Sequence, residues 1–475
     1  SCASAQEKPT KTIKKAKIQE KNRGKRKSSS CLLHSLDAQS APVNTDTKRW
    51  IEQDKKHCWH PFTAQSEWCA PDFTPLMLCS GKGVWLTDSE GRSYIDGNSS
   101  IWTNIHGHCQ EHIVAAMKAQ LDKVAHTSYL GFANPLASEL ATRLCAFFPE
   151  NTLTRVFFSD DGSTALESAI KMERQFRMQT GQGHRRGFIA FDNCYHGDTM
   201  GAAMLGGVGL YFSRFQGELF PVTHIRNLDE LKALPQELLD ETAALVIEPV
   251  VQGVNRINVW PEGMLRELRE WTEQQGIHLI LDEVMTGYGR TGYMFACLKE
   301  GVIPDFLCTA KGLTSGYTPL AATFTKEFIY DGFCGEETNA FFYGHSFTAH
   351  QVGCAAAMAS LDVFEQEKVL ESLPAKIDLM HQLAQQACET SPYLTGFRQA
   401  GMVMGVDIVQ QNGSPYPKEQ AMGSKACLAM RAHGLLTRPI LDTIVVMPPL
   451  CITAEELRQL FDALVKGVHD ACCVS

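Results

Sequence analysis

Residues 264–284 read MLRELREWTEQQGIHLILDEV. Apolar residues at helical spacing run from Met264 to Gln275, and Gly276 stops them. The apolar run Leu279–Leu281 follows and ends in two acids, Asp282 and Glu283. A helix that feeds a strand of this kind is one unit of an α/β fold. Outward from it, short apolar runs at Arg155–Phe158, Gly187–Phe191, Ala243–Val250 and Leu320–Thr325 alternate with helical patterns. This alternation predicts a mostly parallel, doubly wound central sheet. Val84–Asp96 reads as a hairpin around a Glu-Gly turn, and 111–125 and 135–147 as helices. After a helical stretch at 351–390, short strands and helices predict a smaller α+β domain that closes with a helix near 453–472.

Composition bounds the rest. The chain has 475 residues, of which 44% are apolar, enough for a substantial core. No apolar stretch reaches the length of a membrane span, and the first residues lack the apolar core of a secretory signal. Residues 8–27 carry a local charge of +9, against −9 for the whole chain. The body is therefore acidic, which argues against a nucleic-acid-binding body and leaves a basic tail able to touch anions. The expected division is a disordered tail at 1–47, an N-terminal part of the small domain at 48–105, a large domain at 106–350 and a C-terminal small domain at 351–475. The seventeen cysteines form no Cys-x-x-Cys pair and no Cys/His cluster of zinc-like spacing. Reduced thiols in the cytoplasm and no metal are expected.

Five constellations carry chemistry. Ser159–Glu167, SDDGSTALE, follows a strand and opens a helix; Gly162, Ser163 and the free N–H groups of the helix suit a phosphate. Read alone, it is more simply an ordinary N-cap with a tight turn. Asp282 ends its strand at the edge where α/β sheets bind ligands, and Glu248 ends Leu245–Ile247 in the same way. Each acid can pair with a buried cation or cap a loop. Lys311, in Thr309–Gly316, is a lone lysine within the apolar stretch Phe306–Ala322. Burial would lower its basicity and make it a Schiff-base amine, while Gly312 and Gly316 equally allow an exposed turn. Tyr195 in Tyr195-His196-Gly197 can stack on a flat ring or sit half-buried at a turn. Gly344-His345-Ser346 offers phosphate donors or a helix cap.

Together, in this order, the motifs resemble the class III, fold type I aminotransferases, which depend on pyridoxal 5′-phosphate. Leu281–Gly292, LDEVMTGYGRTG, matches that class closely. Trp59-His60-Pro61-Phe62, Ser99-Ser100-Ile101-Trp102 and Arg438-Pro439 with Val446–Pro449 are similar to the branch of 7,8-diaminopelargonate synthases. The resemblance runs from about His57 to the C-terminus. It implies that Lys311 holds the cofactor as a Schiff base and that Asp282 pairs with the pyridine nitrogen. It gives the phosphate to Gly162 and Ser163, with His345 and Ser346 from the other subunit of a homodimer with shared active sites. Tyr195 lies at the ring, Phe62, Trp102 and Gly344 line the substrate pocket, and Arg438 takes a carboxylate. The implied partners are small molecules, 8-amino-7-oxononanoate and an amino donor, with no membrane and no nucleic acid required. Members that use S-adenosylmethionine usually carry tyrosine where Phe62 stands, and members that use L-lysine tend to carry phenylalanine, so both donors stay open. The alternatives are another class III enzyme, such as an ω-amino-acid aminotransferase, and a non-catalytic protein whose basic tail binds nucleic acid or an anionic surface.

Overall fold

The computed structural model describes residues 45–213 and 219–473. The expected tail falls outside the described residues up to position 44, and Thr45 already opens the helix Thr45–His57. The chain divides into two compact units, one ending at Phe73 and one starting at Thr74. In the first, the Asp54 carboxylate accepts from His60 Nε2 at 2.9 Å and Trp68 Nε1 at 2.8 Å. Those bonds fold the Trp59–Phe62 segment back on its helix. Phe62 itself is exposed and has a left-handed φ of 50°.

The second unit is built on a seven-stranded sheet. Its strands are β1 (Arg155–Ser159), β2 (Gly187–Phe191), β3 (Val222–Ile225), β4 (Thr242–Ile247), β5 (His278–Asp282), β6 (Phe306–Thr309) and β7 (Ala321–Thr325), in the spatial order β1-β7-β6-β5-β4-β2-β3. β5 pairs in parallel with β4 and β6, and β2 with β3 and β4. The strands are apolar because both faces are covered. Val246, Ile280, Phe306 and Cys308 pack under helix α1 (Gly162–Gln179), while Leu245, Ile247, Leu279, Leu281 and Leu307 pack on the other face with Leu268 of helix α2 (Met264–Gln275).

The expected α/β class with a mostly parallel sheet holds, with local differences. β7 is antiparallel to both β6 and β1. Only residues 310–320 join it to β6, too few for the helical crossover that a parallel partner needs. Edge strand β3 was not expected, since Val222-Thr223-His224-Ile225 has no continuous apolar run. The helical stretch at 351–390 is two helices, Gln351–Gln366 and Val369–Thr390, separated at Lys368 with φ 48°. Among the described residues, three small sheets complete the unit. In one, Leu435–Leu436 lies parallel to Ser93–Asp96, so N- and C-terminal segments share a subdomain. Among the described residues no helix is long and apolar enough to cross a membrane.

All six parallel strands end at one edge. Their exits place Gly162, Tyr195, Glu248, Asp282 and Lys311 on neighbouring loops, the arrangement in which α/β sheets bind ligands. Arg177 locks α1 in place beneath that edge. Buried, it donates to Glu173 Oε1 (2.7 Å), Gln182 Oε1 (2.5 Å), Ala243 O (2.9 Å) and Gly276 O (3.1 Å). Arg177→Ala leaves the fully buried Glu173 with His278 alone. It is expected to cost about 3–5 kcal/mol of stability. Urea unfolding beside the wild type measures this, and an unchanged midpoint rejects the role.

Candidate active site

The turn after β1 is built around a close approach. Asp161 caps α1, accepting from Thr164 N at 2.9 Å, and Thr164 returns a bond to the Asp161 N–H. A Cβ on Gly162 would sit 2.5 Å from Val284 Cγ1, so only glycine fits against the chain leaving β5. The Tyr195–Thr199 turn closes over the start of the same helix. Gly197, at φ 121°, has no room for a Cβ, which would meet Ser163 Oγ at 2.3 Å. Asp198 N donates to that Ser163 oxygen at 3.1 Å. Ser159 Oγ and Asp160 Oδ1 are buried here without a hydrogen-bond partner. Tyr195 is half-buried and donates to Asp198 Oδ2 at 2.6 Å; burial and that carboxylate push its hydroxyl up.

Asp282 is buried at the tip of β5. Its Oδ1 accepts from Val284 N at 3.0 Å, and its Oδ2 lies 2.8 Å from His196 Nδ1. Burial alone would push the imidazole down, but the Cys194 sulfur and the Asp282 carboxylate outweigh it and hold His196 well above its ordinary value. Glu248, one strand across, meets only amides, Tyr195 N at 3.2 Å and Gly253 N at 2.8 Å. Burial, offset in part by His196 and reinforced by Asp282, pushes its carboxyl up to about 8. Glu248 is therefore mostly protonated at neutral pH, whereas Asp282 has a cationic partner.

Lys311 opens the turn after β6 with a left-handed φ of 42°. Its Nζ lies 4.9 Å from the centre of the Trp102 ring. Burial pushes the amine down, with help from Arg290, against the pull of Asp282 and Glu248, and the net direction is down. Ser315 Oγ, in the same loop, accepts from Ile105 N (3.2 Å) and His106 N (2.8 Å), which fastens the lysine turn to the segment carrying Trp102. That segment is strained. Ser99, Ser100, Ile101 and Trp102 have φ of 46°, 49°, 64° and 67° in succession, a conformation non-glycine residues rarely adopt. Asp96 holds it by accepting from Ser100 N (3.0 Å) and Ser100 Oγ (2.8 Å), and Trp102 Nε1 donates to Asn98 Oδ1 at 2.8 Å.

The structure thus gathers Gly162, Ser163, Tyr195, Asp282, Lys311 and Trp102 around one strand edge. His345 Nδ1 reaches to 3.4 Å from Asp160 Oδ2 in its own chain, while Gly344 and Ser346 are exposed. Arg438 is exposed, and its guanidinium pairs with no carboxylate among the described residues. Phe62 belongs to the first unit. Two residues that carried no role in the sequence reading take part. His196 was quoted only as part of its loop. Arg290, fully buried, donates to Pro448 O (2.6 Å) and Asn104 O (2.5 Å), and burial pushes it down to about 9. An arginine inside the Gly-rich run Gly287–Gly292 was the available signal for the second.

A half-buried lysine of lowered basicity, a strand-end carboxylate and a glycine-lined helix start define a pyridoxal-phosphate-dependent enzyme of the α/β type. The class-III aminotransferase profile matches residues 69–468, and the chain belongs to that family. It is 42% identical over 448 residues to the adenosylmethionine-8-amino-7-oxononanoate aminotransferase of Geobacter sulfurreducens, covering 89% of this chain and 98% of the relative. The crystal structure of the enzyme so named from Methanocaldococcus jannaschii superposes with a TM-score of 0.86 at 35% identity, covering 90% of this chain and 99% of that one. An (S)-enantioselective omega-transaminase from Thermomicrobium roseum gives 0.84 at 30% identity, covering 89% and 98%. The family cofactor is pyridoxal 5′-phosphate, and the residues present fit it. The cradle at Gly162 and Gly197 excludes a Cβ, and buried polar atoms without partners surround the edge.

The protonated state of Glu248 has a stability signature. Its folded value of about 8 lies above the ordinary 4.5, so the folded state holds a proton that the unfolded state releases. Stability should fall as pH rises between those values. Glu248→Gln cannot titrate. Melting temperatures of both proteins from about pH 5 to about pH 8.5 should show the difference drifting in favour of the variant; a constant offset would mean that Glu248 is ionised throughout.

Proposed function

We propose that this protein transfers an amino group to 8-amino-7-oxononanoate, giving 7,8-diaminononanoate for biotin biosynthesis, with S-adenosylmethionine or L-lysine as donor. The observation that carries the proposal is Lys311, held at the Trp102 ring among Asp282, Glu248 and the Gly162 turn. The names of the relatives supply the substrate.

When bound, pyridoxal 5′-phosphate supplies an electron sink for charge developing on the donor carbon. Lys311, neutral more readily than an exposed lysine, would tether the cofactor and would serve as the base that takes the proton from the donor α-carbon. Asp282, beside His196, would pair with the ring nitrogen, while Gly162 and Ser163 would hold the phosphate. Trp102 supports the apolar chain of the acceptor beside Gly344, and Arg438, an exposed cation paired with no carboxylate among the described residues, anchors its carboxylate. Tyr195 flanks the ring. Phe62 bears on the choice of donor.

His345 and Ser346 of the partner subunit complete the phosphate site in a homodimer. Support for pairing is an exposed apolar surface around them. Leu130, Phe132, Phe342 and Phe347 are exposed, and Thr127 N bonded to Gln351 Oε1 at 3.1 Å and His126 packed 4.8 Å from Phe347 join the two segments. The fifteen described cysteines are all free, in keeping with a cytoplasmic enzyme.

Mixing the holoenzyme with the keto acid and each donor in turn identifies the donor as the one that bleaches the yellow lysine-linked form and yields the diamine. A panel that turned over ω-amino acids and left the keto acid untouched would replace the proposal with an ω-amino-acid aminotransferase. Since the two substrates use one site in turn, initial-rate plots should be parallel; intersecting lines would reject that order. Arg438→Ala should raise the KM for the keto acid by roughly 10- to 100-fold, the loss of a charged hydrogen bond, with a smaller effect on the donor.

A further inference from the structure

The strained run that ends in Trp102 is held through an imidazole that no transfer step uses. His108 is pinned at its backbone by Gly83, donating from N to Gly83 O at 2.7 Å and accepting from Gly83 N at 2.9 Å. Both ring nitrogens are committed as well. Nδ1 lies 3.2 Å from Asn104 Nδ2, and Nε2 lies 3.0 Å from Asp96 Oδ2. Asn104 Oδ1 accepts from Gly107 N at 2.7 Å, which turns the amide so that its Nδ2 donates to the ring. Nδ1 is therefore the acceptor, and Nε2 carries the hydrogen that goes to Asp96. The same Asp96 oxygen accepts from Ser100 Oγ at 2.8 Å, while Oδ1 accepts from Ser100 N at 3.0 Å. Asn98 accepts twice from Trp102, from N at 2.9 Å and from Nε1 at 2.8 Å.

We propose that His108 is a positioning residue for the substrate wall: its Nε2–H fixes Asp96, Asp96 fixes the left-handed run Ser99–Trp102, and that run sets where the Trp102 indole stands beside Lys311. A buried carboxylate needs its donors. Without the imidazole, Asp96 Oδ2 keeps only the Ser100 hydroxyl among the described residues. Four successive non-glycine residues at positive φ are costly, so losing one determinant lets the run relax. The pocket feels such a shift because the indole has no slack: a Cβ on Gly253 would come within 2.9 Å of Trp102 Cζ3. His108 itself touches neither Trp102 nor Lys311 and acts only through Asp96. The inference rests on the reading of Trp102 as a wall of the keto-acid pocket.

The test uses the holoenzyme and compares wild type, His108→Ala, His108→Gln and His108→Asn, each matched by circular dichroism. The readouts are kcat and KM for 8-amino-7-oxononanoate. His108→Ala should raise KM by roughly tenfold, the loss of one hydrogen bond to a carboxylate, and change kcat by less than about threefold. His108→Gln should recover most of the affinity, because its amide nitrogen reaches the place of Nε2. His108→Asn replaces Nδ1 instead and should not. In a Trp102→Ala background the alanine change at His108 should cost at most about twofold, since the wall it places is gone. If His108→Ala does not fold, the glutamine and asparagine variants decide alone, in both backgrounds. Glutamine and asparagine variants that behave alike, or an equal loss with and without Trp102, overturn the role of His108 and leave the proposed function standing. A wild-type holoenzyme that does not turn over the keto acid overturns both.

Discussion

A carboxylate at the end of a strand buried on both faces must find a cation, find enough N–H donors, or keep its proton. Three acids at this sheet edge meet that constraint in three ways. Asp282 has the His196 imidazole. Glu283, turned the other way, accepts from Ala296 N and Cys297 N, and burial still raises it. Glu248 has two amides and holds its proton to about 8. Of the three, only Asp282 has a cationic side chain beside it. Lys311 stands among these groups with its own charge disfavoured by the same burial. The chemistry of the site is a sorting of protons that the dry sheet edge imposes.

That edge is stiffened from outside the sheet. Arg290 joins Asn104 to Pro448, Ser315 joins the lysine loop to Ile105 and His106, and Asp96 holds the left-handed turn that ends in Trp102. The bonds of Arg290 and Ser315 span segments far apart in sequence, and that of Asp96 is local. The strain in residues 99–102 persists because several independent bonds determine it together. Trp102 and Lys311 keep their spacing for that reason.

The sequence made some of this legible and hid the rest for physical reasons. Strands such as Leu279–Leu281 and Leu245–Ile247 could be read because burial on both faces leaves an unbroken apolar run. β6 lay inside the apolar stretch around Lys311 and could not be separated from its loop by periodicity. The direction of β7 depends on loop length, which no local pattern records. Lys311 and Asp282 were legible as residues, but whether either was buried was not. His108 carried no signal, since its relation to the Trp102 run exists only through Asp96. Arg438 and Ser346 were legible through resemblance, and a single chain leaves both at its surface.

β7 lies between β1 and β6 and pairs with both, Ala321 against Ser159 and Thr309 against Ala322. The Gly162 turn is thus separated from the lysine by a strand made after both of them. A ribosome must release the chain beyond Thr325 before the two halves of the pocket can be joined. A nascent chain carrying every residue of the phosphate turn has no cofactor site, and assembling one requires closing a loop of more than 150 residues. A cofactor site at this edge is therefore complete only once β7 has paired with both neighbours.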